Sequence, residues 1–165
     1  MLFRSVLPEA AGILYGGGFP RHGSAEARKA AQRAIFCVER ELEALALAER
    51  TAGVALCDRG TLDGLAYWPA DEGSFFEELQ TTRARELERY ATVIHLRTPP
   101  LGAGYNHQNP LRIESAEEAA AIDERIAEAW SGHPRRFFID NSQEFLSKAA
   151  SAIELIRQEV PSCCR

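Results

Sequence analysis

The stretch from Val54 to Tyr67 constrains the fold most, because a short apolar run in it stops abruptly at a carboxylate. Val54-Ala55-Leu56-Cys57 is followed directly by Asp58, Arg59 and Gly60. A continuous apolar run is typical of a buried parallel strand, and an open α/β sheet places its chemistry at the carboxyl ends of such strands. Asp58 is therefore a candidate magnesium-linked carboxylate of a phosphoryl-transfer enzyme, with Arg59 beside it to stabilise charge. The alternative is that Asp58 only caps the next turn.

Strand-like and helix-like segments alternate along the whole chain, which predicts βαβ units and a three-layer α/β fold with a parallel sheet. The predicted strands end near Leu7, Cys57, Leu96 and Asp140. The predicted helices cover residues 24–49, 74–89, 115–129 and 145–160. Because the carboxyl ends of parallel strands meet at one edge of a sheet, Glu9, Asp58 and Arg59 should share one cleft.

The composition is that of one soluble domain. With 165 residues, of which 45% are hydrophobic and 26% charged, the chain can bury its own core, and we predict a single domain over residues 1–165. The formal net charge of −5 argues against broad nucleic-acid binding. No apolar run approaches the ~20 residues of a membrane span, so we expect a cytoplasmic protein.

The residues after Cys57 also carry a family resemblance. They form the pattern Asp-Arg-Gly-x-x-Asp-x-x-Ala-Tyr, with its defined positions at Asp58, Arg59, Gly60, Asp63, Ala66 and Tyr67. Together with Pro8-Glu9 after the preceding strand, this block resembles the NadR-like (ribosylnicotinamide-kinase-like) AAA-type domains, a branch of the P-loop kinases. The segment from Tyr105 to Glu114 resembles the lid of that family, with Arg112 as its arginine.

The resemblance implies binding of ATP or GTP with Mg²⁺, and hydrolysis or phosphoryl transfer to an unknown small-molecule acceptor. Asp58 would hold the magnesium shell, and Glu9 would face the acceptor or the attacking water. Arg59 and Arg112 would stabilise the transferring charge. The alternatives are that Glu9 is an exposed turn carboxylate, that Arg59 is the ion-pair partner of Asp63, and that Arg112 is a solvated loop residue.

Further candidates for binding substrate or nucleotide are Arg21, Asp63, Tyr67 and Arg97. Arg97 closes a predicted strand and could contact phosphate, although basic residues are common at strand ends. Tyr67 and Asp63 could instead support the turn and pack the helix that follows. His95 lies inside an apolar strand, so we predict a core histidine rather than a ligand.

The sequence departs from the family in its phosphate loop. It contains no Gly-x-x-x-x-Gly-Lys-Ser/Thr motif, whose N–H groups and lysine would hold phosphates. The nearest segment, Gly18 to Ser24, has serine where lysine belongs, and Pro20 removes a donor N–H. By the family comparison this segment follows the second strand, nearer an acceptor or effector site, which makes Arg21 a binding candidate there.

By the same comparison, Met1 falls after a missing first strand, phosphate loop and helix, so we expect an amino-terminally truncated domain. Such a chain should bind nucleotide weakly or not at all. The alternative function is a non-catalytic module that binds a partner or an anionic small molecule through the same cleft. In the resembled kinases the missing strand lies between the strands that here end at Cys57 and Leu96. We therefore expect unpaired edges and a chain that is aggregation-prone or partly molten.

Overall fold

The computed structural model describes residues 2–50, 52–97, 115–140 and 145–162, and within these ranges strands and helices alternate. The elements are, in chain order, β1 (Leu2–Leu7), α1 (Ala10–Gly16), α2 (Ala25–Glu49), β2 (Ala52–Cys57), a 3-10 helix (Thr61–Tyr67), α3 (Glu72–Glu78), α4 (Arg83–Leu87), β3 (Val93–Leu96), α5 (Ala116–Ala129), β4 (Arg136–Ile139) and α6 (Phe145–Glu159). None of the helices in these ranges combines the length and the apolar character that crossing a membrane requires.

The strands pair in parallel, as the alternation predicts. β1 lies beside β2 with Leu7 opposite Cys57, and β3 lies beside β4 with His95 opposite Phe138. In the described ranges these pairs form two separate two-stranded sheets, so β2 and β3 are each paired on one side only. A single three-layer sheet and an amino-terminal truncation therefore stay predictions.

Helix α2 is amphipathic and begins and ends at recognisable caps. The Ser24 side chain accepts a hydrogen bond from the N–H of Ala27, and the helix ends before Arg50, whose φ of 49° is left-handed. Leu45, near the end of the helix, is 56% exposed although it is apolar. The buried face consists of Ala31, Gln32, Ile35, Phe36 and Glu39. Glu39 is therefore an acidic residue at the carboxyl-terminal end of this buried face.

The 3-10 helix lies at the centre of the core, between α2 and α5. Gly60 precedes it and permits a close approach to α5, because a Cβ at this position would lie 2.7 Å from the Trp130 ring. Each apolar residue in this contact is almost completely buried, which fixes the position of the helix. The cluster consists of Leu62, Ala66, Ile126, Ala129 and Trp130.

The single helix predicted over residues 74–89 is wrong, because the chain forms the shorter helices α3 and α4 there. Gln80 leaves the helical conformation with a φ of 52°. The Thr82 side chain then accepts a hydrogen bond from the N–H of Arg85 and begins α4. The break turns α4 so that Glu86 is completely buried beneath the 3-10 helix.

Candidate functional site

Glu9, Asp58 and Arg59 lie at the carboxyl ends of β1 and β2. The N–H of Asp58 donates to the Leu7 carbonyl at 3.1 Å, which extends the strand pairing to the residue after β2. The Arg59 guanidinium lies between two carboxylates, with Nε 3.7 Å from Glu9 and Nη1 3.6 Å from Asp63. The structure thus brings these predicted site residues together at one sheet edge.

Arg59 has an unusual backbone and is held loosely. Its φ of 83° is left-handed, a region that residues with a side chain rarely adopt and that often marks functional loops. Both of its carboxylate contacts are longer than hydrogen bonds, and its side chain is 39% exposed. The guanidinium is therefore accessible to an anion in solution.

Asp63 links this loop to α5. One of its carboxylate oxygens accepts a hydrogen bond from the Trp130 indole N–H at 2.5 Å, and the other faces Arg59. Burial raises the pKa of Asp63, while the Arg59 charge and the Trp130 hydrogen bond oppose that rise. The predicted alternative of an ion pair between Arg59 and Asp63 is thus observed, and a direct role for Asp63 in binding stays a prediction.

Asp58 is exposed, and its carboxylate makes no hydrogen bond to the described part of the chain. Among those same residues, no group of three or more His, Cys, Asp or Glu side chains could hold a metal ion. A single carboxylate does fit Mg²⁺ that arrives with nucleotide, because Mg²⁺ keeps several waters and is completed by phosphate oxygens. The role of Asp58 in holding Mg²⁺ stays a prediction.

A buried network, which the sequence did not indicate, holds the first residue of the 3-10 helix. The Tyr90 hydroxyl accepts from the Thr61 N–H at 2.9 Å and donates to Glu43 at 2.6 Å. The Thr61 hydroxyl donates to Glu86 at 2.9 Å, and Glu86 also accepts from Arg40 at 2.9 Å. The partners of Tyr90 are distant in the sequence, so these hydrogen bonds depend on the tertiary structure. The network fixes the loop that carries Asp58 and Arg59.

Glu39 reaches the same sheet edge from α2. It is 7% exposed. With Glu43, Asp58 and Arg59 it lines a cavity of about 10 Å³, which has space for about one water molecule. Burial, with the charges of Asp63 and Glu43, raises the pKa of Glu39 to about 8, and Arg59 opposes this rise. Glu39 was not predicted as a site residue, although a glutamate inside an apolar helical stripe was a usable signal.

Arg97 follows β3 and is held by acidic residues of α5. Its Nη1 donates to Asp123 at 2.8 Å and to Glu124 at 2.9 Å. Asp123 also lies 3.1 Å from Nε2 of His95, which is buried against the Phe138 ring. These contacts agree with a core histidine at position 95. They leave phosphate binding by Arg97 as a prediction.

The remaining predicted site residues are Tyr67, Arg21 and Arg112, of which the structure describes the first two. The Tyr67 ring packs against the core cluster around Leu62, in agreement with its alternative role in packing. The Arg21 guanidinium lies over the Tyr15 ring, 3.9 Å from the ring centre, on an exposed loop. Arg112 and the predicted lid lie outside the described residues.

The segment from Gly18 to Ser24 has no geometry of a phosphate loop. It follows α1, whereas a phosphate loop joins a strand to a helix, and Ser24 uses its side chain to cap α2. The lysines of the chain are Lys29 and Lys148. Lys29 pairs with Glu78 at 2.7 Å, and Lys148 donates to the Arg97 carbonyl at 3.2 Å. Both lysines are therefore engaged outside any glycine loop.

Comparisons with known proteins identify the family. A family model described as an AAA domain matches residues 2–147, which include β1 to β4 and the Asp58–Asp63 loop. No curated protein and no solved structure is significantly similar to the chain. The family match and the parallel α/β strand pairs agree on the same class of fold. This chain belongs to the AAA-domain family and is a P-loop NTPase-like domain.

Proposed function

We propose that the site at the carboxyl ends of β1 and β2 binds the phosphates of ATP or GTP with Mg²⁺ and supports kinase-like phosphoryl transfer or nucleotide hydrolysis. The family match supports nucleotide binding, and the resemblance to NadR-like kinases supports phosphoryl transfer. The observation that carries the proposal is Arg59, which has a strained backbone and an accessible guanidinium beside the exposed Asp58. We place this activity in the cytoplasm.

Each residue of the site has a distinct task in this proposal. Asp58 holds magnesium, which neutralises charge on the phosphates when it is bound. Arg59 contacts phosphate oxygens and stabilises the charge that moves during transfer. Glu9 lies within reach of the Arg59 side chain and faces the acceptor hydroxyl or water, whose proton it accepts. Asp63 keeps Arg59 oriented from the buried side.

For residues 1–165 alone we propose weak or no nucleotide binding. A phosphate loop contributes several N–H donors and a lysine, and each hydrogen bond to a charged group is worth ~1.5–3 kcal/mol. The loss of three such bonds costs about 4.5 kcal/mol, which is more than three decades of affinity. The Gly18–Ser24 segment does not replace them, because Ser24 caps α2.

The test is a titration of the chain with magnesium-ATP and magnesium-GTP, followed by calorimetry and by amide NMR shifts. We expect millimolar or weaker affinity, with the shifts concentrated in residues 58–63. Arg59→Ala should remove the residual binding. Asp58→Asn should remove the dependence of that binding on magnesium. The control Arg21→Ala should leave both unchanged. Micromolar affinity of the unchanged chain would contradict weak binding, and shifts confined to the Gly18–Ser24 segment would contradict this site.

A second candidate is a non-catalytic module that binds a partner or an anionic small molecule through the same cleft. It is favoured by the engagement of Lys29 and Lys148 elsewhere, which leaves Arg59 as the cation of the described cleft. The same titration separates the two functions if it is repeated with tripolyphosphate in the absence of magnesium. Binding that depends on Arg59, but neither on magnesium nor on Asp58, would favour the module.

A further inference from the structure

Glu39 is a buried acidic side chain for which the described residues provide neither a hydrogen bond nor an ion pair. It is 7% exposed. Asp63 and Glu86, which are also buried acids in the described part of the chain, each accept hydrogen bonds from neighbouring side chains. Because an acidic side chain that is mostly buried costs free energy when it ionises without a protein partner, packing alone gives no reason for a glutamate at this position.

The Glu39 side chain is directed at the proposed nucleotide site. It lines the small cavity together with Asp58 and Arg59. Leu7 and Cys57, the last residues of β1 and β2, form part of the same wall. The cavity therefore joins the buried face of α2 to the loop that carries the proposed phosphate contacts.

Four charged groups from different parts of the chain act on the Glu39 carboxyl. Burial raises its pKa most, and the carboxylates of Asp63, Glu43 and Glu9 add to this effect, whereas the Arg59 charge lowers it. The result is a carboxyl group with a pKa of about 8, which carries a proton at neutral pH. Arg59 is thus the cation that would compensate an ionised Glu39.

The other titratable groups of the cavity wall do not take this role. Burial raises the pKa of the Cys57 thiol to about 11, so it stays neutral when Glu39 ionises. Glu43 already accepts hydrogen bonds from Tyr90 and Arg89. Asp58 is exposed and therefore well screened by water.

We propose that Glu39 is a positioning residue whose protonation sets where the Arg59 guanidinium lies. With Glu39 protonated, Arg59 stays between Glu9 and Asp63 at the mouth of the site, where it can contact phosphate. With Glu39 ionised, the carboxylate attracts the guanidinium inwards, towards the cavity wall that Glu39 lines, because charges interact more strongly away from water. The long contacts of 3.6 and 3.7 Å leave Arg59 free to move. The regulatory part of this inference rests on the proposed phosphate contact.

The direct test is an NMR titration of the full chain between pH 5 and 10, with labelled glutamate carboxyl and arginine Nε groups. We expect one glutamate to titrate near pH 8 and the Arg59 Nε signal to shift with the same midpoint. Glu39→Gln should abolish that shift. The control Glu41→Gln, at an exposed position of the same helix, should retain it.

Two results would overturn the proposal. One is a Glu39 carboxyl that titrates near 4.5, its ordinary value. This titration is measured on the unchanged chain, so it does not depend on whether a variant folds. The other is an Arg59 shift near pH 8 that persists in Glu39→Gln. Neither measurement requires nucleotide, so both remain decisive if the proposed function fails.

The regulatory consequence is tested by binding of tripolyphosphate at pH 7 and pH 9. The unchanged chain and Glu41→Gln should bind about tenfold more weakly at pH 9, since roughly nine-tenths of a group with a pKa near 8 is then ionised. Glu39→Gln, for which the charge of the probe changes in the same way, should lack this decrease. The same decrease in Glu39→Gln would refute the regulatory role. Absence of binding at both pH values would refute the regulatory role in residues 1–165, and the NMR titration alone would then decide whether Glu39 positions Arg59.

Discussion

At the scale of single residues, Glu39 shows a cost to stability that its proposed role explains. Its pKa is about 8 in the folded chain, against an ordinary value of 4.5. Below pH 4.5 the carboxyl is protonated in both the folded and the unfolded states, and the free energy of unfolding is unaffected. Between pH 4.5 and 8 only the folded chain keeps the proton, so stability falls as the pH rises.

We therefore predict that Glu39→Gln stabilises the chain near neutral pH. The slope of up to about 1.4 kcal/mol per pH unit gives a gain of at most a few kcal/mol at pH 7. The gain should vanish at pH 4.5. Urea unfolding at these two pH values measures it, with Glu41→Gln as the exposed control. A stabilisation that is equal at both pH values would mean that ionisation of Glu39 is not its cause.

The residues of the site were only partly predictable. Glu9, Asp58 and Arg59 follow apolar runs, and the rule that parallel strands end at one edge was sufficient to bring them together. Glu39 and Tyr90 were not predictable in this way, because helical spacing gives the face of a residue but not its partner. Glu39 joins the site only because α2 crosses the carboxyl ends of both strands.

At the scale of secondary structure, local signals predicted boundaries well where capping residues are present. The helix predicted from residue 115 begins there, because Ser115 and Glu118 form a capping box at the start of α5. The helix predicted over residues 74–89 failed because its apolar spacing continues through a break that the conformation of Gln80 and the Thr82 cap produce. The 3-10 helix had no sequence signal of its own, since its position depends on the fit between Gly60 and Trp130.

The hydrogen-bond network around Thr61 connects α2, α4 and the 3-10 helix. We predict that Tyr90→Phe destabilises the chain by about 1–3 kcal/mol, because the Thr61 N–H loses its acceptor and Glu43 loses a donor in a buried position. Urea unfolding measures the loss of stability. Hydrogen exchange of residues 58–63 should accelerate as well, since the loop is no longer held.

The control for that substitution is Tyr15→Phe, which removes a hydroxyl from a tyrosine that contacts Arg21 through its ring. It should leave the free energy of unfolding and the exchange of the loop unchanged. If Tyr90→Phe destabilises the chain but does not accelerate exchange in the loop, the network contributes to the core without positioning Asp58 and Arg59.

At the scale of the whole molecule, parallel sheets are normally covered on both faces and have few open edges. In the described ranges, β2 and β3 are each paired on one side only. Val6 in β1 is 65% exposed and Leu96 in β3 is 55% exposed, although both side chains are apolar. Open edges flanked by exposed apolar side chains favour association with other chains.

We predict that residues 1–165 associate in solution through these edges, and that Leu96→Lys reduces the association because a charged side chain on an edge strand opposes pairing. Leu47→Lys is the matched control, because Leu47 is 71% exposed and belongs to helix α2 rather than to an edge strand. Size-exclusion chromatography should move the Leu96 variant, and not the Leu47 variant, towards the monomer. Equal effects of both substitutions would indicate non-specific hydrophobic association rather than association through the strand edges. A monomeric unchanged chain with one cooperative transition above ~60 °C, stable by mesophile standards, would mean that the two sheets need no further partner.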